Sequence, residues 1–146
     1  PHPGAHPTAG AVCVGARPVL LAWNVYLGGI TFEDAAAIAA QIRERGGGFR
    51  GLRALALQLP QRERLQISMN LEDLEATSPM EVFRRIEALV AERGGSVLET
   101  EVVGLLPDEL VLSAAADRLR LTGATTRRLL SRRLAEHLAA CDRPAL

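Results

Sequence analysis

The sequence predicts an α+β fold in which one antiparallel-rich sheet carries both crossover helices on a single face. Three observations lead there. The run Leu65-Gln66-Ile67-Ser68-Met69-Asn70-Leu71-Glu72 alternates apolar and polar side chains without interruption, the period of a strand with one core face. Two segments open with helix-start chemistry, Thr31-Phe32-Glu33-Asp34 and Ser78-Pro79-Met80-Glu81, and each continues with apolar residues at helical spacing. Apolar runs bounded by glycine and proline surround them, giving the order strand, helix, strand, strand, helix, strand.

The first ten residues hold three prolines and two glycines, which excludes a helix or a central strand, so residues 1–10 read as a linker or extended entry segment. Val19 to Leu27 is almost wholly apolar, broken by Asn24 and ending a residue after Tyr26, as in a buried central strand. The Thr31 hydroxyl can cap free backbone N–H groups, and Glu33 and Asp34 sit at the positive end of the helix dipole. Ala35, Ile38, Ala39 and Ile42 then form an apolar stripe, and Gly46-Gly47-Gly48 is expected to stop the helix as a C-cap. Leu52 to Leu59 is a second strand ended by Pro60. Gln61-Arg62-Glu63-Arg64 is a polar turn, and the alternating run completes an antiparallel hairpin.

The second helix combines a Ser78 cap, Pro79 at the first helical position and Glu81 three residues after the serine. Val82, Ile86, Leu89 and Val90 are its buried stripe, and Gly94-Gly95 ends it. Ser96 to Leu105 reads as a fourth strand. Pro107 to Leu121 and Thr125 to Ala140 read as two additional C-terminal helices, which flank the sheet or cover part of it.

This order is the ferredoxin-like βαββαβ sandwich. Right-handed crossovers put both helices on one sheet face, so the opposite face collects the polar half of each strand. It is expected to hold Gln66, Ser68, Asn70 and Glu72 from the third strand and Asn24 and Tyr26 from the first. Glu99 and Glu101 come from the fourth, and Arg53 or Gln58 from the second. Such a face is either a wetted sheet surface or the floor of a binding site. Amides and hydroxyls of fixed geometry suit the orientation of a polar heterocycle or an amino acid.

At 146 residues the chain can bury roughly 70% of its unfolded surface as one domain. It opens on Pro1 rather than Met, as a processed, engineered or excised segment would. Hydrophobic residues make up 48% and aromatics 3%, so the core must be aliphatic. All seventeen cations are arginine, balanced by seventeen acids. The lack of lysine fits a GC-rich, bacterial coding bias, and the balance argues against nucleic acid, which needs a clustered basic excess. No apolar stretch reaches the roughly 20 residues of a membrane span and no signal peptide is evident, so a cytoplasmic location is expected.

Cys13 and Cys141 lie near opposite ends without CxxC spacing or paired histidines, which gives no zinc pattern. They read as free thiols, with a disulfide joining the ends as the alternative. His2 and His6 lie in the leader and His137 on a terminal helix, none beside a nucleophile partner. Gly46-Gly47-Gly48 follows a helix instead of leading into one, so it is not a phosphate-cradling loop. By these residues alone the chain has no catalytic centre.

Gly10-Ala11-Val12-Cys13-Val14-Gly15-Ala16-Arg17 running into Leu21-Ala22-Trp23-Asn24-Val25-Tyr26-Leu27 resembles the opening of the C-terminal subdomain of the glutamate formimidoyltransferase family. Gln66-Ile67-Ser68-Met69-Asn70-Leu71-Glu72-Asp73 resembles that family's "Q.S.N..D" strand, and Val102-Val103-Gly104-Leu105-Leu106-Pro107 its "LVGLVP" segment. The resemblance implies that residues 11–121 are the C-terminal subdomain and 122–146 a terminal helix. It also implies transfer of a formimino group from N-formimino-L-glutamate to tetrahydrofolate, the co-substrate, in histidine degradation, without a metal. The family's catalytic histidine belongs to an N-terminal subdomain, so this chain alone is expected to be inactive, with that subdomain as its partner. Arg17, Asn24, Ser68 and Asn70 fall in the matching motifs and are the implied folate- or substrate-binding residues. Gly15 and Gly104 serve backbone geometry, and Tyr26 stands where the family usually has a smaller polar residue. The competing expectation is a stand-alone ferredoxin-like module for small-molecule binding or oligomerisation, without catalysis. Homodimer formation is left open.

Overall fold

A computed structural model describes residues 4, 6–12, 14–59, 64–123 and 125–141. Four strands, β1 (Leu21–Gly28), β2 (Leu52–Leu59), β3 (Arg64–Leu71) and β4 (Ser96–Val102), form one sheet in the order β2-β3-β1-β4. Every neighbouring pair is antiparallel. β1 and β2 therefore run parallel with β3 between them, and β3 and β4 run parallel with β1 between them. The helices α1 (Phe32–Ile42) and α2 (Pro79–Ala91) make those two crossovers, and the result is the ferredoxin-like α+β sandwich that the element order predicts.

The core forms where the apolar half of the central strands meets the two helical stripes. Leu21, Trp23, Val25 and Leu27 of β1 and Leu65, Ile67, Met69 and Leu71 of β3 face Ala35, Ile38, Ala39 and Ile42 of α1. Val82, Ile86, Leu89 and Val90 of α2 complete it. Fully burying each large aliphatic side chain is worth about 1.5–3 kcal/mol, so these stripes outweigh local propensity in fixing where each helix lies.

Several boundaries differ from the sequence reading, each for a local reason. Arg64 is the first residue of β3, paired with Leu59, and not a turn residue. Pro60 and Gln61 to Glu63 of the expected turn lie outside the described residues, as do His2, Cys13 and the side chain of Cys141. β4 ends at Val102, although the Val103 N–H still donates to the Ala22 carbonyl at 2.9 Å. Gly104, at φ +94°, then turns the chain out of the sheet through backbone space that favours glycine.

The triple glycine is not the cap of α1. That helix ends on Arg43 in extended conformation, and a 3-10 turn over Glu44–Gly46 follows. A Cβ at Gly46 or Gly48 would overlap the carbonyls of Ala40 and Ile42, so these glycines allow the backbone to fold back against the helix end. Ser78 also departs from expectation, since its side chain makes no capping bond. At Thr31 the capping box is complete: the hydroxyl accepts from the Asp34 N–H at 3.1 Å, and the Asp34 carboxylate accepts from the Thr31 N–H at 3.2 Å.

Beyond the sheet, α3 (Asp108–Arg118) is shorter than the predicted 107–121. The second predicted C-terminal helix resolves into a 3-10 turn over Thr126–Arg128 and α4 (Leu130–Cys141). α3 lies beside α2, joined by the ion pairs Arg84–Asp117 and Arg118–Glu87 and by the Arg118 guanidinium 5.6 Å over the Phe83 ring. Among the described residues no helix is long and apolar enough to cross a membrane.

Replacing Thr31 by Ala is expected to cost about 1 kcal/mol of stability in urea unfolding, the usual value of a satisfied N-cap. Ser78→Ala, which removes no capping bond, is expected to stay within about 0.5 kcal/mol of the parent. Equal losses at the two sites would contradict the capping geometry.

Candidate functional site

The face of the sheet opposite α1 and α2 is ordered in rows across the strands. Register places Leu55 of β2, Ser68 of β3, Asn24 of β1 and Glu101 of β4 in one line. The next line is Leu57, Gln66, Tyr26 and Glu99, and on the other side Arg53, Asn70 and Ala22 form a third. With strands about 4.8 Å apart, a four-residue row extends about 14 Å. Side chains in a row share the open face because each strand is in phase with its neighbour. The third row ends in a small side chain, which leaves the surface beside Asn24 and Asn70 low.

Chemistry changes along these rows. On β2 they begin with leucines, of which Leu55 is 51% exposed. In the middle stand hydroxyl and amide groups, and on β4 carboxylates. A bulge in the β1–β4 pairing, between Tyr26 and Leu27, leaves Leu98 without a register partner. Its side chain packs over Gly28, where an added Cβ would come within 3.1 Å of it.

The acidic end is held by hydrogen bonds. The Tyr26 hydroxyl donates to Glu101 Oε2 at 2.8 Å, and Asn24 Nδ2 donates to the same oxygen at 3.3 Å. Tyr26 is only 3% exposed although it points to the open side. The Arg64 guanidinium lies 5.3 Å over its ring and pairs with Glu99, a cation–π contact that covers the apolar body of the tyrosine. Gln66, beside Tyr26 in the same row, is 5% exposed. Arg53 pairs with Glu72 at 3.0 Å, and Arg50 with Asp73 at 3.3 Å. Burial of Tyr26 and Gln66 separates this face from an ordinary wetted sheet, where both would carry water.

Of the residues implied as ligand-binding, Asn24, Ser68 and Asn70 come together here. Asn24 and Ser68 stand directly opposite one another, and Asn70 lies one row away on β3. Arg17 does not join them: it is exposed in the irregular segment before β1 and has no place in the sheet register. Arg53 takes its expected position, whereas Gln58 pairs with the core residue Leu65 and so belongs to the other set. Glu99 and Glu101 lie where alternation puts them. One participant was not singled out from sequence: Arg64 was assigned to the turn. Glu101 was expected on this face with Glu99, and the register opposite Asn24 gives it its neighbours.

The two described histidines lie off the sheet. His6 Nδ1 accepts from the Thr8 and Ala9 N–H groups at 3.3 and 3.1 Å in a turn closed by His6 and Gly10, and His137 is on α4. A separate cleft of about 630 Å³ lies between β4, α2 and α3, lined by Trp23, Phe83, Val102, Leu110, Ala114 and Arg118 among others. Its walls are apolar, Trp23 and Phe83 stack with centroids 5.8 Å apart, and its cation is committed to Glu87, Asp117 and the Phe83 ring. It lacks the convergent polar groups that the open face presents.

Residues 22–123 match the family model described as formiminotransferase domain. The chain is 33% identical over 126 residues to a glutamate formimidoyltransferase of Thermoplasma acidophilum, covering 86% of this chain and 42% of that protein. It is 37% identical over 110 residues to a glutamate formimidoyltransferase of Streptococcus pyogenes serotype M1, covering 75% and 37%. A formimidoyltransferase-cyclodeaminase of Sus scrofa is 35% identical over 116 residues, covering 75% of this chain and 21% of the relative. The chain thus spans about two fifths of the length of the first two relatives and about a fifth of the third.

Removing the Tyr26 hydroxyl tests whether the acidic end is a fixed structure. Tyr26→Phe is expected to lower stability by about 1 kcal/mol, the net worth of one hydrogen bond to a partly exposed carboxylate. Tyr26→Ala, which also removes the ring under Arg64, is expected to cost about 3 kcal/mol or more. A Phe variant as stable as the parent in chemical unfolding would mean that the bond holds nothing in place.

Proposed function

Since the chain belongs to the formiminotransferase domain family, we propose that it is the folate-binding, C-terminal subdomain of a glutamate formimidoyltransferase. The reaction transfers a formimino group from N-formimino-L-glutamate to tetrahydrofolate, in histidine degradation. A bond forms between the folate N5 and the formimino carbon, the bond from that carbon to the glutamate nitrogen breaks, and the N5 proton is lost as the glutamate amine gains one.

The observation that carries this reading is the open face itself: aligned hydroxyl and amide groups on rigid strands, bordered by exposed leucines that a bound ligand or partner would cover. Ser68, Asn24 and Asn70 would orient the ligand. Arg17, in the irregular segment before β1, would reach a ligand carboxylate from outside the sheet, since its fork matches a carboxylate bidentately. The relatives are more than twice as long as this chain, which fits a partner subdomain closing over the same face and supplying the catalytic histidine. Half a pocket leaves much of the ligand in water, so the chain by itself binds weakly and is inactive.

Exposed Leu55, Leu57 and Leu98 on the same face favour a second reading, a stand-alone ferredoxin-like module that self-associates there. An upstream domain of similar size in the parent reading frame supports the transferase, and Pro1 directly after an initiator methionine, with no neighbouring frame to supply that half, supports the module. Titration of folinate into the full-length protein and an Asn70→Ala variant addresses the site. The variant is expected to bind about fivefold to tenfold more weakly, the loss of one hydrogen bond of about 1 kcal/mol. Equal affinities would remove Asn70 from the site.

A further inference from the structure

We propose that the cleft between β4, α2 and α3 is a second ligand site, which takes a neutral, planar, apolar molecule whose carbonyl oxygen or ring nitrogen accepts the Trp23 indole N–H. It lies on the helix side of the sheet, opposite the open face, and is independent of the folate site. Its volume of about 630 Å³ falls within the roughly 300–1,000 Å³ of small-molecule pockets. Trp23 and Phe83, stacked with ring centroids 5.8 Å apart, line it together with the aliphatic side chains of Val102, Leu110 and Ala114.

One polar group in this lining is unmet. Trp23 is 5% exposed, and its Nε1 is buried with no hydrogen-bond partner. A buried indole N–H ordinarily finds an acceptor, because an unsatisfied donor keeps the full cost of losing water. Water in the cleft is a poor remedy. A buried water needs about two to four polar partners, and among the other lining side chains only Thr100 and Arg118 carry N–H or O–H groups. Arg118 is already paired with Glu87 and Asp117, so the site calls for no negative charge on its ligand. An acceptor carried by an apolar ligand meets the indole and fills the space at once.

The test uses calorimetry on the full-length protein with two probes of the same shape, 2-acetylnaphthalene and 2-isopropenylnaphthalene, which differ by an oxygen in place of a methylene. The unmodified protein is expected to bind the ketone about threefold to tenfold more tightly, the worth of one neutral hydrogen bond. Trp23→Phe, which keeps an aromatic ring but no donor, should bring the two affinities together. The NMR resonance of the Trp23 indole N–H, identified by its loss in that variant, should move further with the ketone than with the alkene. Ala114→Phe, which fills the cleft from α3 and leaves the indole intact, should weaken both probes by about tenfold or more. Equal affinities in the unmodified protein, a preference that survives Trp23→Phe, or binding untouched by Ala114→Phe overturns the site. So does failure of both probes to bind, the result expected if another segment of the full-length protein fills the cleft.

Discussion

The whole arrangement depends on the antiparallel register of β1 with β3. Val25 stands opposite Ile67 and Trp23 opposite Met69, so the core halves of the two central strands meet. The intervening residues then bring Asn24 opposite Ser68 and Tyr26 opposite Gln66. Because side chains alternate with a period of two, a slip of one residue would send the entire apolar set into solvent and the polar set into the core. The apolar half forbids that slip, since Leu21, Val25, Ile67 and Leu71 are almost completely buried. Hydrophobic burial on one face therefore fixes, with no further energy, the relative positions of the polar groups on the other.

The open face is graded because its four strands differ in role. β1 and β3 are central and paired on both sides, so their polar groups are spaced rigidly. β2 and β4 are edges and carry the extremes, leucines on one and carboxylates on the other. The aromatic ring of Tyr26 sits between them, covered by Arg64 and tied to Glu101. A tyrosine at that place joins the middle of the sheet to its acidic border, where a smaller polar residue would not reach. This gradient, from leucines through hydroxyl and amide groups to carboxylates, is the surface that the proposed ligand would meet.

Much of the fold was legible because its signals are local. The stripes Ala35, Ile38, Ala39, Ile42 and Val82, Ile86, Leu89, Val90 needed only helical periodicity, and β2 was bounded by its own apolar run. Misreadings arose where two local signals competed or where a contact from elsewhere decided. Arg64 looked like turn because of the charged residues before it, yet backbone pairing with Leu59 draws it into the strand. The glycines after α1 matched a capping pattern, but the carbonyls of Ala40 and Ile42 are what demand them. Ser78 had the right neighbours for a capping box and does not use its side chain. In the site, Asn24, Ser68 and Asn70 could be placed on one face by counting. Arg17 could not be joined to them, since a motif in an irregular segment carries no register.

By itself the sequence determined the element order, the two helical stripes and which half of each central strand is polar. These follow from periodicity and cap chemistry within a few residues, and three motifs in that order carry the family likeness. Only the tertiary structure decided which groups on the open face become neighbours: Glu101 with Tyr26 and Asn24, Arg64 with Glu99, and Leu98 over Gly28. Those partners lie 35 to 77 residues apart, or, for Leu98, depend on a bulge that alternation does not encode. Cross-strand register, set by packing on the opposite face, is the physical quantity that joins them.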